Sequence, residues 1–221
     1  MNMEKLYNYF KYLLEFLFPK TVSENIIEQI TVDDLLAKAN TQLSVSDNGT
    51  LILFHYHDPT IKKLIWAFKY QGKTKVASLF ADVLYEHLLE KLSDDALFLN
   101  FTHPIIIPIP LSKKRRRERG FNQTELIAEQ LKHKDKANFF DMYADILVRV
   151  RETEHQTHIQ KKEKRLENIR DAFAVRGAHK IKNRNIILLD DVITTGSTIR
   201  EAHRVLVSAE VKKIMVVAIA R

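Results

Sequence analysis

The sequence predicts an α/β protein, a parallel sheet flanked by helices with an N-terminal helical extension. Three observations predict it. Ile105 to Ile107, Ile186 to Leu189 and Ile214 to Ile219 are short, continuously apolar runs, the pattern of strands buried on both faces. Stretches with helical spacing of apolar residues separate them, giving the strand–helix alternation of a parallel sheet. With 221 residues and 45% hydrophobic content, the chain is long enough for one sizeable core.

The elements follow in order. Residues 3–18 place Leu6, Tyr9, Phe10, Leu13, Leu14 and Leu17 at helical spacing, and Pro19 ends the run. Residues 22–43 read as a second helical stretch, with Thr31 or Asp33 as cap. Asp47-Asn48-Gly49 is a turn. Leu51 to His57 reads as a strand, and Ile61 to Tyr70 and Lys75 to Leu92 as amphipathic helices. Ile105 to Ile107 is a strand stopped by Pro108 and Pro110. Residues 111–121 form a very basic loop, and Gln123 to Lys132 a helix. Asp145 to Val150 reads as a strand, and Gln160 to Arg170 as a charged helix. Ile186 to Leu189, Ser197 to Ser208 and Ile214 to Ile219 then give strand, helix and strand.

Composition narrows the function classes. No apolar run reaches about 18 residues, so no spanning helix is expected. The N-terminus interleaves charge with aromatics and lacks a small-residue cleavage site, so a cytoplasmic location is expected. The absence of cysteine excludes disulfides and thiolate metal sites. The net charge of +7 is unevenly placed. Residues 111–185 hold 20 Lys/Arg against 11 Asp/Glu, and the remainder 15 against 17. An anionic partner is therefore attracted to the middle-to-late third of the chain.

The most informative segment is Ile186 to Thr198, IILLDDVITTGST. A buried strand ends in two carboxylates, a Thr/Gly loop follows, and then a helix with Ile199, Ala202, Val205, Leu206 and Ala209 on one face. Ligands of parallel sheets bind beyond the carboxyl ends of the strands. A helix start offers free N–H groups and a positive dipole end to a phosphate. Gly196 permits close backbone approach, and Thr194, Thr195, Ser197 and Thr198 add hydroxyl donors. Asp190 and Asp191 repel a phosphate, but suit sugar hydroxyls, with or without a bridging divalent ion. No Gly-Lys-Thr/Ser follows, so this is not a Walker A loop.

The nine residues from Asp190 through Val192, Ile193, Thr194, Thr195, Gly196 and Ser197 to Thr198 resemble the phosphoribosyl pyrophosphate (PRPP) motif of type I phosphoribosyltransferases. That resemblance implies that the acid pair binds the ribose hydroxyls and the loop binds the 5-phosphate. Further segments are similar to the ComF family, phosphoribosyltransferase-like proteins linked to DNA uptake in natural competence. They are Pro108 and Pro110, the cluster Arg119-Gly120-Phe121-Asn122-Gln123, Arg149/Arg151/Thr153/Gln156, and Arg165, Asn168 and Phe173. Phe68-Lys69-Tyr70 with Gly72, and Leu17-Phe18-Pro19, fit as well.

The resemblance implies a type I phosphoribosyltransferase-like domain over residues 51–221, with residues 1–50 as the helical extension. It departs at one place: the family commonly carries two Cys pairs forming a zinc module after Leu-Phe-Pro, and residues 20–50 contain none. No zinc is expected, and helical packing of residues 3–43 would stand in for the metal. His155 and His158 are read as surface residues. The implied ligand is PRPP with magnesium, the metal entering with PRPP rather than through a structural site.

The basic run has a functional reading too. Lys113, Lys114 and Arg115 would face the leaving pyrophosphate, with Gly120 as a hinge and Arg119 joining Asp190 and Asp191 in the catalytic group. Arg115, Arg116, Arg117, Lys161 and Lys162 are candidates for single-stranded DNA, and a competence helicase is a candidate partner. The sequence does not fix the oligomeric state or whether the chain is an enzyme. Two other readings stand beside the first: a salvage or amidotransferase-type phosphoribosyltransferase, and a non-catalytic single-stranded nucleic-acid binder. Family enzymes acting on 6-oxopurines usually place an acid where Thr194 stands, which argues against that kind of salvage.

Overall fold

A computed structural model describes residues 29–45, 50–72, 74–151 and 170–221. The stripe of residues 3–18, Pro19, the turn at 47–49 and the segment 152–169 lie outside the described residues. So therefore do Lys161, Lys162, His155, His158, Thr153, Gln156, Arg165 and Asn168.

The described residues form a six-stranded, mostly parallel sheet flanked by helices, the α/β class that the sequence predicts. In chain order its elements begin with α1 (Val32–Gln42), β1 (Ser44–Val45), β2 (Leu51–Phe54), α2 (Pro59–Tyr70), α3 (Lys75–Leu99) and β3 (Ile105–Pro108). They continue with α4 (Lys113–Arg119), α5 (Gln123–Lys134), β4 (Asp141–Met142), β5 (Leu147–Arg149) and β6 (Phe173–Val175). The last three are β7 (Asn185–Val192), α6 (Ser197–Ser208) and β8 (Lys213–Ala220). The strand order is β1-β2-β8-β7-β3-β4, and only the short edge pair β1–β2 is antiparallel. Strands β5 and β6 form a separate antiparallel ribbon.

Two-residue periodicity divides the apolar strands between two cores. Ile106, Ile187, Leu189, Val217 and Ile219 face one side, where Phe54, Phe68, Phe80, Leu84 and Ile127 fill the space under α1, α2, α3 and α5. Ile105, Ile107, Ile186 and Leu188 face the other side and meet Ala202 and Leu206 of α6 with Leu147 and Phe173 of the ribbon. The α6 stripe expected from the sequence therefore packs as predicted, with Ile199, Val205 and Ala209 at its margin.

Helix ends are set by local chemistry. Thr31 caps α1 in a capping box with Asp34. Asp58 caps α2, accepting from the Thr60 and Ile61 N–H groups at 2.8 and 3.2 Å, and Pro59 opens the helix. The Asp58 carboxylate also receives Lys38 Nζ at 2.8 Å and Gln42 Nε2 at 3.1 Å, which fastens α1 to the start of α2.

The structure corrects one expectation directly: residues 113–119 are helical, not a loop. Ser112 supplies the cap, its hydroxyl accepting from Arg115 N at 3.2 Å. Gly120 ends the helix in the left-handed region with φ 80°, so it works as a C-terminal stop rather than a hinge. Charge density alone suggests a solvated loop; the Ser and Gly punctuation decides otherwise.

Candidate functional site

The site lies at the carboxyl ends of β3 and β7, where α2, α4 and α6 converge. Proline punctuation ends β3, and Ile109 N–H then bonds the Leu189 carbonyl at 2.9 Å, so the chain leaves the sheet alongside β7. Asn122 and Thr124 fasten the α4–α5 corner to the same point. Asn122 Nδ2 and Thr124 Oγ1 donate to the Ile109 carbonyl at 3.0 and 2.8 Å, and Asn122 Oδ1 caps α5. Phe121 packs its ring 5.7 Å from that of Phe68, tying the corner to α2. The segment Arg119 to Gln123 is thus a clamp that holds α4 over the strand ends.

Asp190 and Asp191 stand near the end of β7, which runs on to Val192. Asp191 meets Lys69 Nζ at 2.7 Å, and both side chains are only 17% exposed. Asp190 accepts the Asp191 N–H at 2.9 Å. Burial, reinforced by the neighbouring Asp191 charge, pushes the Asp190 carboxyl up to about 7. The Asp191 N–H, Lys69 and Arg115 pull the other way without overcoming it. The place is therefore short of positive charge, a condition that a cationic or hydroxyl-bearing ligand relieves.

The following loop divides in two. Val192 pairs with Ala220 in the sheet, and Ile193 donates its N–H to the Ala220 carbonyl at 3.0 Å and buries its side chain. These two belong to the sheet. Thr194, Thr195, Gly196, Ser197 and Thr198 form the turn proper. Gly196 has φ 71°, the left-handed region that glycine enters at no steric cost, and it precedes the first residue of α6. Gly196 has no side chain to cap the first turn of α6; the Ser197 N–H donates to Thr195 Oγ1 at 3.4 Å, and the positive end of the helix dipole faces the loop. Thr195 Oγ1 lies 3.0 Å from Ser197 Oγ, and Arg200 Nη1 donates to the Thr195 carbonyl at 3.1 Å.

Among the expected residues, Asp190, Asp191 and Arg115 come together; Arg115 is half-buried and close enough to favour the charged form of Asp190. Lys113 and Lys114 are exposed at the start of α4. Arg116 and Arg117 are also exposed, and Arg116 pairs with Glu125 at 3.5 Å. Arg119 does not point at the acid pair. Its guanidinium lies 5.4 Å from the centroid of the Tyr70 ring and donates to Gln123 Oε1 at 2.9 Å. Sequence reasoning gives Lys69 no role of its own, though Phe68-Lys69-Tyr70 is part of the family resemblance. No local signal in the sequence finds Lys69, because α2 and β7 are far apart in the chain. Beside it, Gln71 Oε1 and Gln123 Nε2 are buried without a hydrogen-bond partner among the described residues.

Among the described residues, no group of three or more His, Asp or Glu is placed to hold a metal ion. Among the same residues, no helix is long and apolar enough to cross a membrane.

Residues 117–221, which include the acid pair and its loop, match the phosphoribosyl transferase domain family. The chain is 33% identical to Competence protein F of Haemophilus influenzae over 77% of its own length and 72% of that protein. It is 30% identical to Competence protein ComFC of Bacillus subtilis over 70% of its length, and spans 56% of that relative. Among solved structures, adenine phosphoribosyltransferase from Leishmania tarentolae superposes with a TM-score of 0.42 at 13% identity, over 81% of this chain and 94% of that one.

Proposed function

Because the chain belongs to the ComF family, the competence-related proteins with a phosphoribosyltransferase domain, we propose that it binds PRPP with magnesium and acts in DNA uptake or nucleotide handling. One observation carries the reading: an acid pair with Lys69 and Arg115 beside it at a strand end, followed directly by a glycine turn and a helix start. In this reading the Asp190 and Asp191 carboxylates accept hydrogen bonds from the ribose hydroxyls. The N–H groups and hydroxyls of residues 194–198 hold the 5-phosphate. Lys113, Lys114 and Arg115 lie towards the pyrophosphate.

The donors are all oxygen and Asp190 lacks full compensation, so the residues fit a hard cation carried in on the pyrophosphate. When bound, magnesium would add positive charge at the pyrophosphate oxygens. If an acceptor is present, its nucleophile forms a bond to the anomeric carbon as the bond from that carbon to pyrophosphate oxygen breaks. Stabilising the departing pyrophosphate is then the main task of the α4 cations. Salvage or amidotransferase-type chemistry would use the same ribose and phosphate contacts with a different acceptor.

A second reading has its own observation. Lys114, Arg116 and Arg117 are exposed on α4, which favours a single-stranded DNA backbone along this helix. The helicase partner is a further proposal that rests on the family alone.

Calorimetry with PRPP and magnesium tests the first reading. The parent chain should bind, and the Asp190→Asn/Asp191→Asn variant should lose binding while its circular dichroism is retained. Equal affinity in both would overturn the assignment.

A further inference from the structure

Helix α2 carries a surface that the PRPP reading leaves unused. Its inner face is core: Ile61, Leu64, Ile65, Ala67 and Phe68 are buried. Its outer face is neither core nor ordinary polar surface. Lys62 and Lys63 are exposed, Trp66 is 50% exposed and Tyr70 is 64% exposed. Positions 62, 66 and 70 are successive i, i+4 neighbours, so they form one row about 12 Å long on the helix. The Trp66 and Tyr70 rings lie 6.0 Å apart at 46°. Beyond them the Arg119 guanidinium sits over Tyr70, which joins the row to α4. Six of the seven residues of α4 are Lys or Arg.

Two large aromatic rings held half in solvent between two groups of cations have little to contribute to stability. Their neighbours hold them in place: Phe68 on the inner face of the same helix packs on Phe121, and Arg119 is fixed by Gln123. This is the arrangement that unpaired bases recognise. Each base stacks on a ring face, and the phosphates follow the cations. A duplex hides its ring faces and gains nothing from it.

We propose that Trp66 and Tyr70, with Arg119 at their edge, are a stacking platform for the bases of single-stranded DNA whose backbone runs along α4. The platform rests on the nucleic-acid reading of α4 and supplies what that reading lacks, contacts to bases. It accommodates about two bases, given its length.

The test uses the full chain at low salt. Trp66 is the single tryptophan, so its fluorescence reports on the platform directly. Oligo(dT) should quench it, while an abasic oligonucleotide of equal length should bind more weakly and not quench. In anisotropy titrations, Trp66→Ala should weaken oligo(dT) binding roughly five-fold to a hundred-fold, with Trp66→Phe restoring most of it. Tyr70→Ala should act in the same direction. The affinity for PRPP with magnesium should not change in Trp66→Ala, which separates this proposal from that reading. Equal affinity for oligo(dT) and the abasic strand without quenching would overturn the platform and leave backbone attraction alone. Absence of any binding to single strands would overturn the platform and the nucleic-acid reading together, with PRPP binding unaffected.

Discussion

Lys69, in the last turn of α2, places its ammonium 2.7 Å from the Asp191 carboxylate at the end of β7. This ion pair links the helix that precedes α3 to the strand that precedes the Thr194–Gly196 turn, and it neutralises one half of the acid pair. Lys69→Ala should therefore expose two adjacent carboxylates to each other. The loss should be about 1–3 kcal/mol at pH 8, between the values for exposed and fully buried pairs. Adding Asp191→Asn to Lys69→Ala should recover much of it. Urea denaturation of the two variants measures both effects.

Asp190 gives a pH dependence of defined sign. Its folded value of about 7 lies above the ordinary 3.8, so the folded state holds the proton more tightly than the unfolded one. The contribution of this group is fully present below about pH 4 and is lost as pH rises through 7. Asp190→Asn removes the ionisation, so the melting temperature of the variant should exceed that of the parent by more at pH 8 than at pH 5. A constant difference between the two pH values would mean that Asp190 is not raised.

Asp58 works in the opposite sense. Burial opposes its charge, but Lys38, the Ile61 N–H, Gln42 and the Thr60 N–H together lower its value from 3.8 to about 2. Its contribution is present above about pH 4 and is lost as pH falls towards 2. Acid titration followed by circular dichroism should show Asp58→Asn to be less stable than the parent at neutral pH, with the difference closing as the parent protonates.

The basic helix predicts a salt effect. Neutralising Arg115, Arg116 and Arg117 should flatten the slope of log affinity for single-stranded DNA against log salt. The change should be up to about one for each DNA phosphate that the helix no longer neutralises. PRPP with magnesium should compete with the strand if Arg115 serves both. Anisotropy titrations across a salt series decide this.

Zinc content is a separate measurement. With no cysteine in the chain, purified protein should hold no stoichiometric zinc by elemental analysis. About one tightly held zinc per chain would require a site built from residues other than those described.

Much of this arrangement is legible in the residues. The bounds of α6, Ser197 to Ser208, follow from its apolar stripe and the preceding glycine, and the apolar strands β3, β7 and β8 follow from continuous runs. The strands that escape a sequence reading are β1, β4 and β6, two or three residues each, too short to show a period. Helix α4 reads as a loop because six cations in seven residues outweigh, in a composition argument, the single serine and glycine that define the ends. In the site, the acid pair and the loop are readable because they are contiguous. The approach of Lys69 is not, because α2 and β7 are far apart in sequence. Family resemblance groups Arg119 with the acid pair, and only packing shows its side chain turned to Tyr70 and Gln123.

The position of β8 has a consequence for how the sheet comes into being. It is the last strand in chain order, yet it sits between β2 and β7, and Leu51 pairs with Val217. The β2 and β7 edges therefore have no common neighbour until β8 arrives; the β7–β8 ladder closes over the short α6 crossover, but the β2–β8 ladder closes only after a very long loop has been drawn together. Such non-local pairing slows folding and leaves two apolar edges open in the meantime. Self-association during synthesis should thus begin at β2 and β7, and a chain stopped before Lys213 should aggregate rather than yield a smaller stable sheet.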